Sequence, residues 1–294
     1  MTVHELPHFL GIGAQKAAST WLYRCLRAHP GLWLPPIKEL HYFTHRVEDV
    51  HPGVAARLRG KDWVNRRLRR MVKPRLLADL RSLDPAILRW DLRFFLGRRS
   101  DGWYESLFRA GSSRVTGEIT PEYALLSAGE VGRVRDAFPN LKILFLMRDP
   151  IDRGWSQVRM LAGLRGLSPL SEEAALTLAR DAAVVGRSDY RGTLESWGRH
   201  FPPERIFTGF MEEVRSDPRA LLTRIFDFLG VAADDSVLSP DLFRVVHGGE
   251  PKPMPAAVER ELARTCIEDL RILEERFGDP VRTWRERAEG ALDG

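Results

Sequence analysis

Short apolar runs alternate along this chain with stretches that have the periodicity of amphipathic helices. The clearest run, LKILFLM at 141–147, is almost continuously apolar, as is typical of a parallel strand buried on both faces. Shorter runs at 8–13 and 205–210, and one that ends near Gly117, are also predicted to be strands. The alternation predicts an α/β fold in which helices flank a central, mostly parallel sheet within one domain, 1–294.

Local signals indicate where several helices begin and end. Ser19 or Thr20 is expected to cap the helix after the first strand, and Asp149 the helix after the clearest strand. Gly230 is expected to close an amphipathic helix, since glycine readily adopts the left-handed conformation of helix ends. A final helix is predicted over about 255–277.

Composition narrows the class of protein. The chain has 294 residues, 44% hydrophobic and 29% charged, so a packed core is expected. Its net charge of +5 favours anionic ligands. Cys25 and Cys266 lie in helical patterns and are expected to be buried thiols, too few for a thiolate metal cluster. No apolar stretch is long enough for a transmembrane segment and the first residues lack a signal-peptide pattern, so a cytoplasmic location is predicted.

Two groups of residues suited to anions follow two of the predicted strands. Ligands of open α/β sheets bind at the carboxyl ends of strands, where helix N-termini present unpaired N–H groups. Lys16, Ser19 and Thr20 follow the first strand. Arg148 follows the clearest strand, and Ser156 lies one to two turns into the next helix. The sequence therefore predicts one ligand with two anionic groups.

The glycine-containing loop after the first strand differs from the loops that hold ATP or dinucleotides. The ATP-binding loop requires glycine directly before its lysine and serine or threonine directly after, whereas Lys16 lies between Gln15 and Ala17. The glycine fingerprint of dinucleotide-binding folds is also absent. A magnesium–triphosphate site is therefore disfavoured, although a P-loop kinase that uses ATP remains the alternative function.

These segments together resemble those of the sulfotransferases that use 3′-phosphoadenosine-5′-phosphosulfate (PAPS). IGAQKAASTWLYRCLRAHP (12–30) resembles the loop that binds the 5′-phosphosulfate, and ILFLMRDPIDRGWSQ (143–157) the motif that binds the 3′-phosphate. PPIKELHYF (35–43) and the region 190–231 resemble the heparan-sulfate-type branch. The resemblance runs in order over about 8–284 and implies a P-loop-like three-layer fold in a soluble member of bacterial type.

The resemblance implies PAPS as the sulfuryl donor, with 3′-phosphoadenosine-5′-phosphate (PAP) as product and no metal ion required. Lys16 would contact the bridging oxygen of the phosphosulfate, while Arg148 and Ser156 would bind the 3′-phosphate. The region 247–294 would cover the nucleotide with a loop and a C-terminal helix, and Lys252 in that loop would touch a phosphate. The loop after the first strand would hold the 5′-phosphate through Lys16, Ala17, Ala18, Ser19, Thr20 and Trp21.

A glutamate and a histidine in the segment PPIKELHYF are the candidates for the general base. Glu39 falls where the resemblance places the base, and partial burial is expected to raise its pKa usefully. His41 is the alternative base. An ion pair with Lys38 is the alternative, structural role of Glu39.

Two positions near the predicted site depart from the family pattern. Ala18 stands where glycine is more usual, and Ile119 where heparan-type enzymes tend to have lysine. The missing cation argues against an anionic, heparan-like acceptor. Glu118, beside it, is expected to orient the acceptor, to brace Lys16 or to serve a structural role.

The acceptor is expected to be a small molecule or saccharide with a hydroxyl or amine group, and not a nucleic acid. The segment 44–110 matches the shared motifs least and is predicted to be a helical, basic insertion on the acceptor side. Its stretch 57–75 has nine lysines and arginines against one aspartate, which indicates either a solvated helix face or a surface for an anionic partner. A non-catalytic nucleic-acid-binding protein is therefore a third hypothesis.

Three tryptophans allow two interpretations. Trp33, Trp90 and Trp103 either stack on the acceptor or, as is commoner for tryptophan in such patterns, belong to the core.

Overall fold

The computed structural model contains the predicted alternation of strands and helices. The residues that it describes are 4–44, 59–60, 65–66, 69–72, 74–75, 84–233 and 253–294. Lys252 and parts of the basic stretch 57–75 lie outside the described residues.

Five strands form the central sheet in the spatial order β2-β3-β1-β4-β5. They are β1 (Phe9–Gly13), β2 (Leu32–Trp33), β3 (Val115–Ile119), β4 (Lys142–Met147) and β5 (Ile206–Phe210). All neighbouring strands run parallel, so the carboxyl ends of β1 and β4, which are direct neighbours, meet at one edge of the sheet. The predicted mostly parallel sheet is confirmed.

Helices connect the strands and cover both faces of the sheet. Those that the structure describes are α1 (Ser19–Ala28), α2 (Pro85–Leu96), α3 (Asp101–Ser106), α4 (Ala128–Ala137), α5 (Pro150–Leu164), α6 (Glu172–Ala179), α7 (Ala182–Val185), α8 (Tyr190–Gly198), α9 (Met211–Ser216), α10 (Pro218–Leu229), α11 (Ala256–Phe277) and α12 (Val281–Asp293).

Alternate residues of β4 pack into two separate hydrophobic clusters, as the two-residue period of a strand requires. Ile143 and Phe145 join the larger cluster, which contains residues of α5 and α11. Leu144 and Leu146 join the smaller cluster, which contains residues of α1 and α10. Because each face of the sheet has its own helical cover, the three-layer fold is confirmed.

The predicted start of one helix is correct and that of another is wrong. Asp149 caps α5 and accepts hydrogen bonds from the backbone N–H groups of Ile151, at 2.8 Å, and Asp152, at 3.4 Å. The helix α1 instead follows Ala18, and neither Ser19 nor any other side chain caps it. Ser19 and Thr20 lie inside the first turn of α1, where their hydroxyls can face a ligand rather than the helix backbone.

The C-terminal region contains two helices where one was predicted. The predicted helix over 255–277 is observed as α11, and α12 follows it after a short break. Val281, Trp284 and Ala288 give α12 a buried apolar face at helical spacing. That spacing was a usable signal, although the many charged residues around it weaken the pattern.

Most of the predicted core residues are buried. Trp90 and Trp103 are 3% and 7% exposed, which places them in the core, and Trp33 packs partly buried against it. Cys25 and Cys266 are buried thiols, as predicted. Among the described residues, no helix is long and apolar enough to cross a membrane.

Substitution of two glycines by alanine should change stability in opposite directions. Gly230 ends α10 with a φ of 82°, so Gly230→Ala should destabilise the protein by about 1 kcal/mol. Gly290 lies inside α12 with open space around it, so Gly290→Ala should stabilise the protein by up to about 1 kcal/mol. Urea denaturation of both variants measures the two differences, and a shift of the same sign in both would contradict this assignment.

Candidate active site

A cavity of about 360 Å³ is lined by residues that follow the carboxyl ends of β1 and β4. Its walls come from the loop after β1, the first turn of α1, the segment after β2, the end of β4, and the helices α5 and α9. The lining residues are Gln15, Lys16, Ala18, Ser19, Thr20, Trp21, Lys38, Glu39, Arg148, Ser156, Met160, Met211 and Val214. The two groups that the sequence predicted to meet one ligand therefore share one cavity.

The loop after β1 carries two residues with left-handed backbone conformation. Lys16 has a φ of 71° and Ala18 a φ of 60°. An L-residue other than glycine in this region costs about 1–2 kcal/mol, so the position where glycine was expected is strained in this chain. With this backbone conformation, Lys16 lines the cavity and α1 begins at Ser19, so the N-terminus of that helix lies beside the cavity. The N-terminus of a helix favours an anion.

Arg148 connects the end of β4 to the loop that holds Lys16. One of its guanidinium nitrogens donates to the backbone carbonyl of Lys16 at 3.2 Å, and another lies 3.5 Å from a carboxylate oxygen of Asp152. Tyr190 donates its hydroxyl to the backbone carbonyl of Arg148 at 2.7 Å. Ser156 lines the same cavity, one turn beyond Asp152 on α5. Arg148 therefore holds both parts of the site in one arrangement.

The missed helix α12 also supports this arrangement. Arg287 of α12 donates to Asp149 at 2.7 Å and to Asp152 at 2.9 Å. It also pairs with Glu259 of α11 at 2.8 Å. The C-terminal helices thereby fix the start of α5, which carries one of the partners of Arg148.

Positive charge is concentrated in the cavity. Burial lowers the pKa of Lys16, and the nearby charges of Arg148, Arg159 and Lys38 lower it further. A cation under such repulsion is stabilised by an anionic ligand, which would raise the pKa again.

Several buried polar atoms around the cavity have no hydrogen-bond partner among the described residues. They are the indole nitrogen of Trp21, the side-chain oxygen of Gln15 and the Nε atom of Arg148. Buried polar groups are normally hydrogen-bonded, so these atoms fit a polar ligand at this place. Donors and cations predominate, which matches a phosphorylated ligand in particular.

The candidate base Glu39 lines the same cavity and contacts Lys38. Lys38 donates from Nζ to the Oε1 atom of Glu39 at 2.6 Å and to the hydroxyl of Ser19 at 3.2 Å. Burial favours a raised pKa for Glu39, but hydrogen bonds and charges from His41 and Lys38 outweigh it and hold the pKa at about 2. The predicted rise of the pKa is therefore not found, because the predicted partial burial comes with a hydrogen bond to His41 and with the cation of Lys38 at 2.6 Å.

The alternative base His41 does not line the cavity. Its side chain is 4% exposed and lies between two carboxylates, with Glu39 at 3.6 Å and Glu122 at 3.3 Å. Glu122 in turn pairs with Arg187 at 2.8 Å. His41 thus contacts the candidate base from behind, where an acceptor that enters the cavity would not reach it.

A buried carboxylate holds the segment that carries Glu39 and His41. Glu118, at 1% exposure, accepts hydrogen bonds from the backbone N–H of Leu40 at 3.1 Å and from three hydroxyls. The hydroxyls belong to Tyr104, Thr120 and Tyr123, at 2.5, 2.6 and 2.8 Å. Of the three roles considered, these contacts support the structural one, since each carboxylate oxygen of Glu118 already accepts two hydrogen bonds from groups of the protein.

The structure brings most of the predicted site residues together. Those that line the cavity are Lys16, Ala18, Ser19, Thr20, Trp21, Glu39, Arg148 and Ser156. Ala17 is fully buried beneath the loop, His41 lies behind Glu39, and Lys252 lies outside the described residues.

Sequence analysis missed several residues of the cavity wall. They are Gln15, Lys38, Met160, Met211 and Val214. Lys38 could have been recognised from its place directly before the candidate base in the segment PPIKELHYF, but it was predicted only as an ion-pair partner of Glu39. Met211 and Val214 belong to α9, whose approach to the cavity is decided by tertiary packing. Among the described residues, no group of three or more histidine, cysteine, aspartate or glutamate side chains could hold a metal ion.

The chain belongs to the sulfotransferase family, whose sequence model matches residues 7–235. It is similar to heparan sulfate glucosamine 3-O-sulfotransferase 3B1 of Mus musculus, with 30% identity over 137 residues. It is also 29% identical over 147 residues to heparan sulfate glucosamine 3-O-sulfotransferase 6 of Homo sapiens. These matches cover 44% and 45% of this chain but only 35% and 40% of the two relatives.

Solved structures have the same fold. A sulfotransferase from Alicyclobacillus acidocaldarius has a TM-score of 0.62 at 23% identity, covering 95% of this chain and 98% of that one. The sulfotransferase domain of the Synechococcus PCC 7002 olefin synthase has a TM-score of 0.55 at 20% identity, covering 90% of this chain and 95% of that one.

These findings confirm the predicted family. The family uses PAPS as its sulfuryl donor, and the match gives no support to the kinase alternative.

The low pKa of Glu39 should make its replacement pH-dependent. A carboxylate with a pKa near 2 when folded and 4.5 when unfolded stabilises the protein above pH 4.5, and this stability is lost as the pH falls towards 2. Glu39→Gln should therefore destabilise the protein by at most about 3 kcal/mol at pH 7 and by much less at pH 3.

Urea denaturation between pH 7 and pH 3 measures this difference. The matched control is Glu268→Gln, because Glu268 is 78% exposed and its pairing with Arg271 is a surface contact. We expect less than about 0.5 kcal/mol for the control at every pH. A constant difference for Glu39→Gln over the same range would contradict the assignment.

Proposed function

We propose that the protein moves the sulfuryl group of PAPS to a hydroxyl or amine of a small-molecule or saccharide acceptor. One observation carries the proposal: Lys16, the N-terminus of α1 and the Arg148–Ser156 pair line a single cavity. This arrangement supplies two anion sites, as a ligand with a 5′-phosphosulfate and a 3′-phosphate requires.

The first anion site is formed by the loop after β1. Backbone N–H groups from Ala17 to Trp21 and the hydroxyls of Ser19 and Thr20 hold the 5′-phosphate. Lys16 contacts the bridging oxygen and stabilises the negative charge that grows on the departing phosphate. The lowered pKa of Lys16 supports this role, because burial among cations leaves it poorly compensated without an anion.

The second anion site selects the nucleotide. The guanidinium of Arg148 and the hydroxyl of Ser156 bind the 3′-phosphate, which ATP lacks.

Glu39 is the proton acceptor at the other side of the cavity. The acceptor oxygen or nitrogen attacks sulfur, the bond from sulfur to the bridging oxygen breaks, and PAP leaves with the electron pair. The proton of the acceptor group passes to the carboxylate of Glu39, which is ionised at neutral pH. His41 lies 3.6 Å from Glu39 and does not line the cavity, which argues against His41 as the base.

A saccharide is the first acceptor to test. The curated relatives are described as heparan sulfate glucosamine 3-O-sulfotransferases, which act on a saccharide hydroxyl. Ile119 packs in the smaller core cluster and does not line the cavity, so this position gives no information on the charge of the acceptor. We propose that the acceptor binds on the side of the segment 44–110. We also propose that residues 1–294 form a single domain, that the protein is located in the cytoplasm and that it has no nucleic-acid partner.

Transfer of labelled sulfuryl from PAPS to an oligosaccharide series, without magnesium, tests the reaction. Lys16→Ala and Glu39→Gln should each lower kcat by a factor of about 100 or more. Lys142→Ala is the control, because Lys142 lies at the amino end of β4 and donates to the carbonyl of Phe228. Normal turnover in Lys16→Ala would disprove the mechanism, and binding of ATP but not PAP by the wild type would favour the kinase.

The 3′-phosphate assignment has a separate test by calorimetry. Arg148→Ala should weaken PAP binding by about 10-fold to 100-fold, because a charge-assisted pair is lost. Binding of AMP, which has no 3′-phosphate, should weaken less, because AMP loses only the support that Arg148 gives to the loop through the carbonyl of Lys16. Arg135→Ala is the control, since Arg135 is an exposed residue that pairs with its neighbour Asp136. Equal losses for PAP and AMP would place Arg148 elsewhere in the binding mode.

A further inference from the structure

Lys38 is the cavity residue that contacts both sides of the proposed reaction. Its ammonium group lies 3.2 Å from the hydroxyl of Ser19, in the first turn of the donor-binding helix α1. The same nitrogen lies 2.6 Å from Glu39, the proposed base. The side chain is 19% exposed, so the charge of Lys38 acts in a partly desolvated place.

The position of Lys38 matches the group that is transferred. Ser19 lies on the 5′-phosphate side of the proposed donor site and Glu39 on the acceptor side. The sulfuryl group must pass between these two sides during in-line transfer. A cation within hydrogen-bond distance of both is therefore in a position to bind a sulfuryl oxygen.

The chemistry of an ammonium group allows it to change partners. Lysine carries its charge on a flexible stem with rotatable N–H donors, unlike the rigid fork of arginine. Lys38 also adds to the positive field on Lys16. An anionic sulfuryl group that enters the cavity offers Lys38 an oxygen partner in competition with the carboxylate of Glu39.

We propose that Lys38 is a second catalytic lysine, which exchanges Glu39 for a sulfuryl oxygen of the donor and so frees the base. This inference rests on the proposed function. The released carboxylate accepts the proton of the acceptor while the bond from sulfur to the bridging oxygen breaks. PAP leaves with the electron pair.

The electrostatics of Glu39 agree with such an exchange. Burial favours a higher pKa for Glu39, and Lys38 is one of the two residues that hold this pKa low. Removal of the Lys38 contact therefore raises the proton affinity of Glu39. The base becomes stronger when the donor is present, which couples donor binding to acceptor activation.

Calorimetry with PAPS and PAP on the full chain tests the contact without any acceptor. Lys38→Met should weaken PAPS binding about tenfold and change PAP binding less than about twofold, since PAP has no sulfuryl group. Lys38→Gln, which keeps a hydrogen-bond donor without the charge, should lie between wild type and Lys38→Met. Lys142→Met is the control and should leave both affinities unchanged.

Glu39→Gln supplies a result of opposite sign. It removes the competing carboxylate, so PAPS binding should tighten by more than PAP binding does. The extra gain should be absent in the double variant Lys38→Met/Glu39→Gln, as a double-mutant cycle measures. A merely structural role of Lys38 would not produce this gain.

The outcomes separate the two proposals. Wild-type protein that does not bind PAP would overturn the proposed function itself. PAP and PAPS affinities that fall together in Lys38→Met, or that do not change, would overturn the role of Lys38 while the proposed function stands. If Lys38→Met does not fold, the Lys38→Gln and Glu39→Gln comparisons still decide the result.

Discussion

Several cations placed together in a partly buried cavity are the constraint on which the site depends. Lys16, Lys38 and Arg148 face the same space, and burial with mutual repulsion lowers the pKa of Lys16. Within the protein, Asp152 and Glu39 offset part of this charge. An anionic ligand offsets it further, so the charges that destabilise the cavity on its own favour the binding of such a ligand.

This charge is held in place by strained backbone. Lys16, Ala18, Glu39 and His41 all have positive φ. Lys16 and Ala18 belong to the proposed donor site, and His41 contacts the proposed base Glu39. Such conformations persist only where surrounding contacts over-determine them. Arg148 supplies those contacts for the loop after β1, through the carbonyl of Lys16. The buried Glu118 network supplies them for the segment from Glu39 to Tyr42, because Glu118 binds the N–H of Leu40 and Tyr123 binds that of Tyr42.

The elements of the fold could be predicted wherever local pattern and final environment agree. The apolar run of β4 is buried on both faces, and Gly230 ends α10, because one local property decides each. Prediction failed where packing decides instead. The N-terminus of α1 has no side-chain cap although serine and threonine stand there, and α12 folds because Trp284 and its neighbours bury against the domain. The pKa of Glu39 is lowered where a rise was predicted, because the side chains of His41 and Lys38 both approach its carboxylate in the fold.

The sequence by itself indicated the family of this protein, through a resemblance that runs in order over about 8–284. A lysine and hydroxyls after one apolar strand, and an arginine and serine after another, predict two anion sites, because ligands of parallel α/β sheets bind at strand ends. Only the tertiary structure decided which side chains share the cavity. In the structure, Lys38 lies between the helix α1 and the proposed base, and His41 contacts that base from its buried side. Arg287 of the last helix donates a hydrogen bond to Asp152. Those contacts join residues that are up to 135 positions apart, and neither periodicity nor spacing encodes distances of that kind.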